Sequence, residues 1–568
     1  MRATNMKKAT LKMRVLAPVV AVAMMLTATA FAAAPGITGG TGNVTFNLVA
    51  TPAFITQPDG QMVYSWGYGC ATGAQPGFAP STISPGSVGC PTMQIPGPTL
   101  IVNKNDTVTV NLTNNLPGPA GNTSILFPGF LLTSAAATSP QPASCTAATP
   151  APQGLMAIEA APGCSVTYVF TAATPGTRAY YSGSQSDLQV EMGMYGAIIV
   201  LPTAVPAGCT AIGAQPAHYV APGNSAEADY RLAAAAYDSN KTCYDREYLF
   251  QFSEIDPNIH SQAMTQITAI ANCKAGPVPC PTRLDVPTEP YHPAYFMING
   301  RSMPDDMDPN YAPQYPHQPY NGNPHMHPGE QVLLRIVGQG RWQHPFHEHG
   351  NHVRILGRDG NLIQSVSDAT SLAGPLLFTT TTTPGVAMDG IFYWTGRGLN
   401  WDPYGHNPSS PDPLANSSMK CDGLLNGYHS VTTDLNYYEW CQDHNKPLQV
   451  APFGDVAGGG PATLPDANIL TNGAWYGGSP YLGPNATTRA TGCLGTGGTP
   501  QTNSPNCGAT GSTPPSGTIA NPPGSEAGFA FMWHSHNERE ITTNNIFPGG
   551  MMMMMLVDSR EFQIDESN

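Results

Sequence analysis

Charge is what this 568-residue chain has least of: 11% of its residues are Asp, Glu, Lys or Arg, against roughly a quarter in an average soluble protein. That scarcity excludes coiled coils and helical bundles, whose wet faces are built from Lys, Glu and Arg. Basic residues are fewer still, 23 against 37 acidic, for a formal charge of −14. A chain so poor in cations has no surface for a phosphate backbone, so nucleic acid is excluded as a partner. Amphipathic helix signals are sparse. No Gly-rich phosphate loop followed by Lys and no Gly-x-Ser-x-Gly nucleophile elbow occurs. Beyond residue 32 no apolar run is long enough to cross a membrane. The hydrophobic share of 41% in turn excludes a disordered chain.

What is abundant is turn chemistry. Gly (60) and Pro (57) punctuate short alternating runs. Val108, Val110 and Leu112 alternate with Thr107, Thr109 and Asn111, the pattern of a half-buried strand. Tyr195 to Val200 and Val332 to Val337 read the same way. Many short strands between Gly/Pro turns predict an all-β protein of sandwich type. Pro, Ala and Gly accumulate near 201–245, which predicts two sandwiches, 40–205 and 246–568, joined by a linker at 206–245. Residues 400–525 are rich in Gly, Pro, Asn, Ser and Thr and read as a long insertion between strands of the second.

The first 32 residues read as a secretory signal. Arg2, Lys7, Lys8, Lys12 and Arg14 precede an apolar run from Val15 to Leu26, and Ala30-Phe31-Ala32 supplies a small-residue cleavage site. The expected destination is outside the cytoplasm: periplasm, cell surface or medium. All twelve Cys lie beyond this signal, and an even count in an exported chain predicts disulfides. Pairing neighbours in order gives local loops, including two inside the 400–525 insertion.

Five of the fifteen His fall in two blocks, His344-Pro345-Phe346-His347-Glu348-His349-Gly350 and His534-Ser535-His536. Side chains at i and i+2 of a strand share a face, so each His-x-His presents two imidazoles together, and imidazole suits copper, zinc, iron and nickel. His325 and His327 form a further pair, but between Pro324 and Pro328-Gly329 they are expected in an exposed loop. The run Met551–Met555 offers thioethers to Cu(I), yet its place before Leu556-Val557 favours core packing.

The first His block resembles the His-Pro-x-His-x-His-Gly motif of the multicopper oxidases. Trp533-His534-Ser535-His536, with Pro548-Gly549-Gly550-Met551-Met552, resembles that family's C-terminal His-Cys-His and Gly-Met block. Pro96-Gly97-Pro98-Thr99, Met194 to Val200, and Phe296 to Arg301 with Pro328-Gly329-Glu330 resemble its strand landmarks. The resemblance implies two cupredoxin-like Greek-key sandwiches, the second carrying a disulfide-stapled insertion.

It also exposes departures. Leu126 and Pro128 stand at both ligand positions of the family's first motif, and Ser182 and Ser184 stand at those of its second. Ser535 replaces the blue-copper cysteine, and Glu540 falls where the last His is expected. Five family His ligands remain, His344, His347, His349, His534 and His536, and these are the candidate metal residues. Copper is the implied ion, with zinc as the alternative, and Glu348, Glu538 and Glu540 are candidate ligands or acceptors. A serine hydroxyl cannot supply the soft thiolate of a His₂Cys site, so oxygen reduction by the family route is not expected and no catalytic residue is assigned. Two readings stay open: a residual metal-binding protein, still an oxidoreductase or not, using His347, His349, His534 and His536 at a single site, and a non-enzymatic extracellular or cell-surface assembly protein on a vestigial scaffold. A homo-oligomer is compatible with either, although identical copies lacking the first two motifs cannot restore them.

Overall fold

The alternation in the sequence becomes strand because each run buries one set of side chains against a facing sheet. The computed structural model describes residues 34–40, 42–72, 77–81, 83, 85–137, 145, 158–214, 227–274, 276–395, 430–431, 437–438, 478–482, 519–520, 528–558, 560 and 564, with the backbone alone at 134–137, 478–482 and 519–520. Ten strands come first: β1 (Gly36–Thr38), β2 (Asn43–Thr56), β3 (Met62–Cys70), β4 (Gly77–Ala79), β5 (Leu100–Asn103), β6 (Thr107–Asn114), β7 (Leu132–Ala137), β8 (Ser165–Thr171), β9 (Gly176–Tyr181) and β10 (Tyr195–Leu201). They form two five-stranded sheets, in the orders β4-β1-β5-β10-β9 and β3-β2-β6-β8-β7. Both sheets mix parallel and antiparallel pairs; β1 and β10 run parallel to β5, and β2 runs parallel to β6. Non-sequential neighbours of this kind are the mark of Greek-key crossovers. Val108, Val110 and Leu112 point into the core between the sheets, with Phe46, Tyr168, Ile198 and Val200.

The remaining strands are β11 (Arg246–Ile255), β12 (Tyr295–Ile298), β13 (His325–Met326), β14 (Gln331–Gly338), β15 (His344–Glu348), β16 (Val353–Arg358), β17 (Asn361–Leu362), β18 (Leu376–Leu377), β19 (Thr379–Thr382), β20 (Ala387–Tyr393), β21 (Gly478–Leu482), β22 (Ile519–Ala520), β23 (Gly528–Ser535) and β24 (Met552–Asp558). One sheet runs β12-β11-β14-β20-β16-β17, and the facing one runs β13-β24-β23-β15-β19. Between them lies a core of Tyr248, Phe250, Phe252, Phe346, Phe392, Trp394, Phe531 and Trp533. The architecture is cupredoxin-like sandwich, nearly all β. A four-residue turn of helix, α1 (Ser186–Gln189), and one long helix, α2 (Pro257–Asn272), stand beside the sheets. Asp256 caps α2 by accepting from the Asn258 N–H, and Pro257 opens it.

The two sandwiches share a buried face. All seven residues of β10 and all ten of β11 are buried, because each strand feeds a core on both sides. Ala197, Ile199 and Leu201 meet Leu249, Val337 and Ala387 across the boundary. An ionic knot pins it: Thr177 donates through Oγ1 to Asp389 (2.6 Å), and Arg335 reaches Glu247 (2.7 Å) and Thr177 (3.0 Å). The connecting segment is itself packed. Ala233 to Tyr237 are buried, Tyr237 donates to Asp389 (2.7 Å), and Arg231 pairs with Asp229 (2.7 Å).

Disulfides join Cys70–Cys90, Cys145–Cys164, Cys209–Cys243 and Cys273–Cys280, each closing neighbours in sequence as expected. Cys421, Cys441, Cys493 and Cys507 lie outside the described residues, as do the signal and most of the 400–525 insertion. Four short pieces of that insertion are described, and two of them are strands: β21 pairs with β23 and β22 pairs with β21. Among the described residues no helix is long and apolar enough to cross a membrane.

Candidate metal centre

The two His blocks become neighbours because β15 and β23 pair antiparallel, with Phe346 opposite Ser535, His347 opposite His534 and Glu348 opposite Trp533. Opposed residues share a face of the sheet. Phe346 and Trp533 belong to the sandwich core, so His344, Phe346, Glu348 and Ser535 point inward. His347, His349, His534 and His536 point outward. The four histidines expected at a single site therefore share one face, and His344 stands on the other. The strand's period of two divides them four to one.

On the outer face four imidazoles crowd together. Nε2 of His349 lies 3.2 Å from Nε2 of His534. The His347 ring centre is 4.8 Å from that of His349, 5.0 Å from His536 and 5.6 Å from His534. Two of the rings are fixed from behind. His534 donates through Nδ1 to the Ser535 carbonyl (2.7 Å), and Nδ1 of His347 is bonded to Oγ1 of Thr379 (2.8 Å). Such contacts set the tautomer and leave Nε2 for coordination. The surroundings favour the neutral form of two of the rings. Burial, then the proximity of His349, His534 and His536, pulls His347 down to about 4, and burial lowers His534. His347 is buried, His349 half-buried and His536 exposed, so the cluster opens to solvent on one side.

The inner face is a different environment. His344 is fully buried and flanked by carboxylates, Glu540 Oε2 at 2.8 Å from Nδ1 and Glu254 Oε2 at 2.9 Å from Nε2. Burial alone would lower its affinity for a proton, but the hydrogen bonds to Glu254 and Glu540 outweigh that and hold the ring up to about 9. His344 is an imidazolium at neutral pH with both nitrogens donating. With both ring nitrogens engaged by carboxylates, His344 stands apart from the other four candidate residues. Ser535 donates to the same Glu540 oxygen, and Asn537 donates to the other (2.9 Å). Glu254 also accepts from the backbone N–H of Arg341 (2.7 Å) and Trp342 (2.8 Å). The network continues through Tyr291, which lies 3.2 Å from Glu254 and donates to Glu191 of the first sandwich (2.6 Å). Also on this face, Glu348 accepts from Thr380 (2.8 Å) and burial pushes its carboxyl up to about 8.

His325 and His327 are not in an exposed loop. His325 opens β13, which pairs with β24, and both rings are buried. The adjoining prolines misled because their carbonyls, not their missing N–H groups, join the structure: Leu556 donates to the Pro324 carbonyl (2.9 Å). His325 binds Asp558 (2.7 Å) and His327 binds Glu227 (2.8 Å). Glu227, His327 and Glu330 form a buried group of metal-ligand type. Its charge is already balanced by Arg246, which bridges Glu227 and Glu330, with Arg246 and His327 outweighing burial to hold Glu227 at about 2.

The ligand positions that the first sandwich lacks are filled by other chemistry. Thr123 and Ser182 both donate to Oε1 of Gln189 (2.8 and 2.7 Å), Ser124 and Ser184 are 2.9 Å apart, and Ser184 donates to Glu159. Leu126 pairs through its backbone with Tyr181. Glu254 and Thr379 are the functional neighbours that sequence reasoning missed. For Thr379 a signal existed, because the run Thr379–Thr382 is a polar strand whose hydroxyls could only serve a polar partner. For Glu254 there was none.

Residues 87–204 match the multicopper oxidase family profile. Among solved structures, the chain is similar to the multicopper oxidase mgLAC (14% identity, 90% of this chain and 86% of that one, TM-score 0.39). It is also similar to a blue copper oxidase from Nitrosomonas europaea (14%, 90% and 85%, TM-score 0.39) and a copper nitrite reductase from the same organism (18%, 62% and 84%, TM-score 0.34). No curated protein matches. The stretch that matches the multicopper oxidase family thus lies in the first sandwich, and the histidine clusters lie outside it.

Proposed function

We propose that this chain is an exported copper-holding protein built on multicopper oxidase architecture, with one ion on the outer face of the second sandwich. His347, His349 and His534 hold it, and His536 stands at the exposed rim. The observation that carries this reading is the 3.2 Å approach of two Nε2 atoms. Nitrogens each about 2.0–2.1 Å from a shared ion lie roughly 3 Å apart. His347 and His534, neutral and with Nδ1 engaged behind them, are in the state that coordination requires. Zinc suits the same donors. When bound, copper would supply Lewis acidity or one-electron chemistry, and the protein's part is to bring four imidazoles together on one face and to favour the neutral form of His347 and His534.

The inner face supports the other half of the reading. At the place that resembles a blue-copper site, Ser535 and Glu540 stand against an imidazolium whose two nitrogens are both taken. A cation there would face another cation. Electron delivery to oxygen by the family route has neither the thiolate nor the vacant imidazole it needs.

Metal analysis of purified protein after loading with copper, and separately with zinc, tests the proposal. About one equivalent of copper, lost in His349→Ala and kept in His344→Gln, is the expected result. Absence of metal from the loaded protein would overturn it and leave a non-enzymatic extracellular or surface protein.

A further inference from the structure

The methionine run is split by the sheet between two faces, one of which carries the histidine cluster. β23 and β24 pair with His534 opposite Met552, Trp533 opposite Met553, Met532 opposite Met554 and Phe531 opposite Met555. Met551, Met553 and Met555 lie in the core with Phe531 and Trp533, which accounts for three of the five. Met552 and Met554 take the other face, where the four histidines are. Met532, two residues before His534, joins them there. Thr379, His347, His534 and Met552 form one row across four adjacent strands, since His347 opposes both Thr379 and His534. Directly opposed side chains have Cβ atoms about 4.5–5.5 Å apart, within the span of an unbranched thioether. Met552 is 3% exposed, so its sulfur is held in the protein and not spread on the surface.

We infer that the outer-face site is a mixed imidazole–thioether site selective for Cu(I), with Met552 as the soft donor beside His534 and His349, and Met532 and Met554 as a second tier of sulfur on the same face. This rests on the copper reading above and sharpens it. Soft thioethers select Cu(I), whereas a purely imidazole site serves zinc and Cu(II) as well. With three or fewer neutral nitrogens and a sulfur, the ion is held without any anionic ligand, which suits a monovalent cation.

The test is anaerobic titration of the full chain with Cu(I), supplied as its acetonitrile complex and competed with bicinchoninate, alongside zinc titration and X-ray absorption of the Cu(I)-loaded protein. Expected are a sulfur shell about the copper and, in Met552→Leu, Cu(I) binding weakened by at least about tenfold, the lower bound seen when a group supporting a metal is removed, with zinc binding unchanged. A nitrogen-only shell in the unmodified protein, or Met552→Leu binding Cu(I) normally, overturns this inference while leaving the histidine site standing. Failure of the unmodified protein to bind copper or zinc at all overturns the site as well. The absorption measurement needs no variant, so a folding defect in Met552→Leu cannot obscure the answer.

Discussion

Two faces of a single strand hold histidines three residues apart in opposite states. His344 looks inward, lies between Glu254 and Glu540, and keeps its proton up to about 9. His347 looks outward, lies among three other imidazoles, and loses its proton at about 4. Both rings are buried, so burial does not separate them. The sign of the neighbours does: two carboxylates on one side, three bases on the other. One motif has thus been divided into a charge that holds the fold and a set of lone pairs that can hold an ion.

The largest effect should come from unbalancing the inner face. Glu540→Ala leaves a buried imidazolium with one carboxylate and is expected to cost about 3–5 kcal/mol of stability, read by chemical denaturation. Next is the pH dependence. The His344 pKa is raised in the folded state above an ordinary value of 6.5, so its stabilisation is full below that value and is lost as pH rises towards about 9. The loss amounts to about 3 kcal/mol at 1.36 kcal/mol per unit. A denaturation series from pH 6 to 9.5 should show this fall, and His344→Gln should flatten it. If the slope survives in His344→Gln, the inner-face account is wrong.

On the outer face the consequences fall on metal and not on folding. Thr379→Val removes the contact that orients His347 and is expected to weaken copper by about 10–100-fold with stability within about 1 kcal/mol of the parent, checked by competition titration and thermal unfolding. The smallest expected effect is the most discriminating. Ser535→Cys alone should give no intense thiolate-to-copper absorption after copper loading, because Glu540 and Glu254 still occupy both nitrogens of His344. An intense blue band in that variant would erase the contrast between the faces.

Much of this was legible in advance. Alternation placed β6, β10 and β14, and neighbouring cysteines closed four local loops. The parity of His344 against His347 was also readable, since residues three apart in a strand face opposite ways. The single site expected from His347, His349, His534 and His536 accordingly leaves His344 out. The buried fates of His325 and His327 were hidden for another reason: their partners Asp558 and Glu227 lie 233 and 100 residues away.

By itself the sequence determined the all-β character, the pairing of imidazoles within each His-x-His, and the absence of a thiolate at Ser535, because strand period and residue chemistry are local properties. Tertiary structure decided which histidines are bases and which is a cation. Proton affinity depends on what charge stands within a few ångströms. The carboxylates reach His344 only through the tertiary fold, Glu254 from the facing sheet and Glu540 from the turn after β23, while Thr379 meets His347 from the paired strand β19.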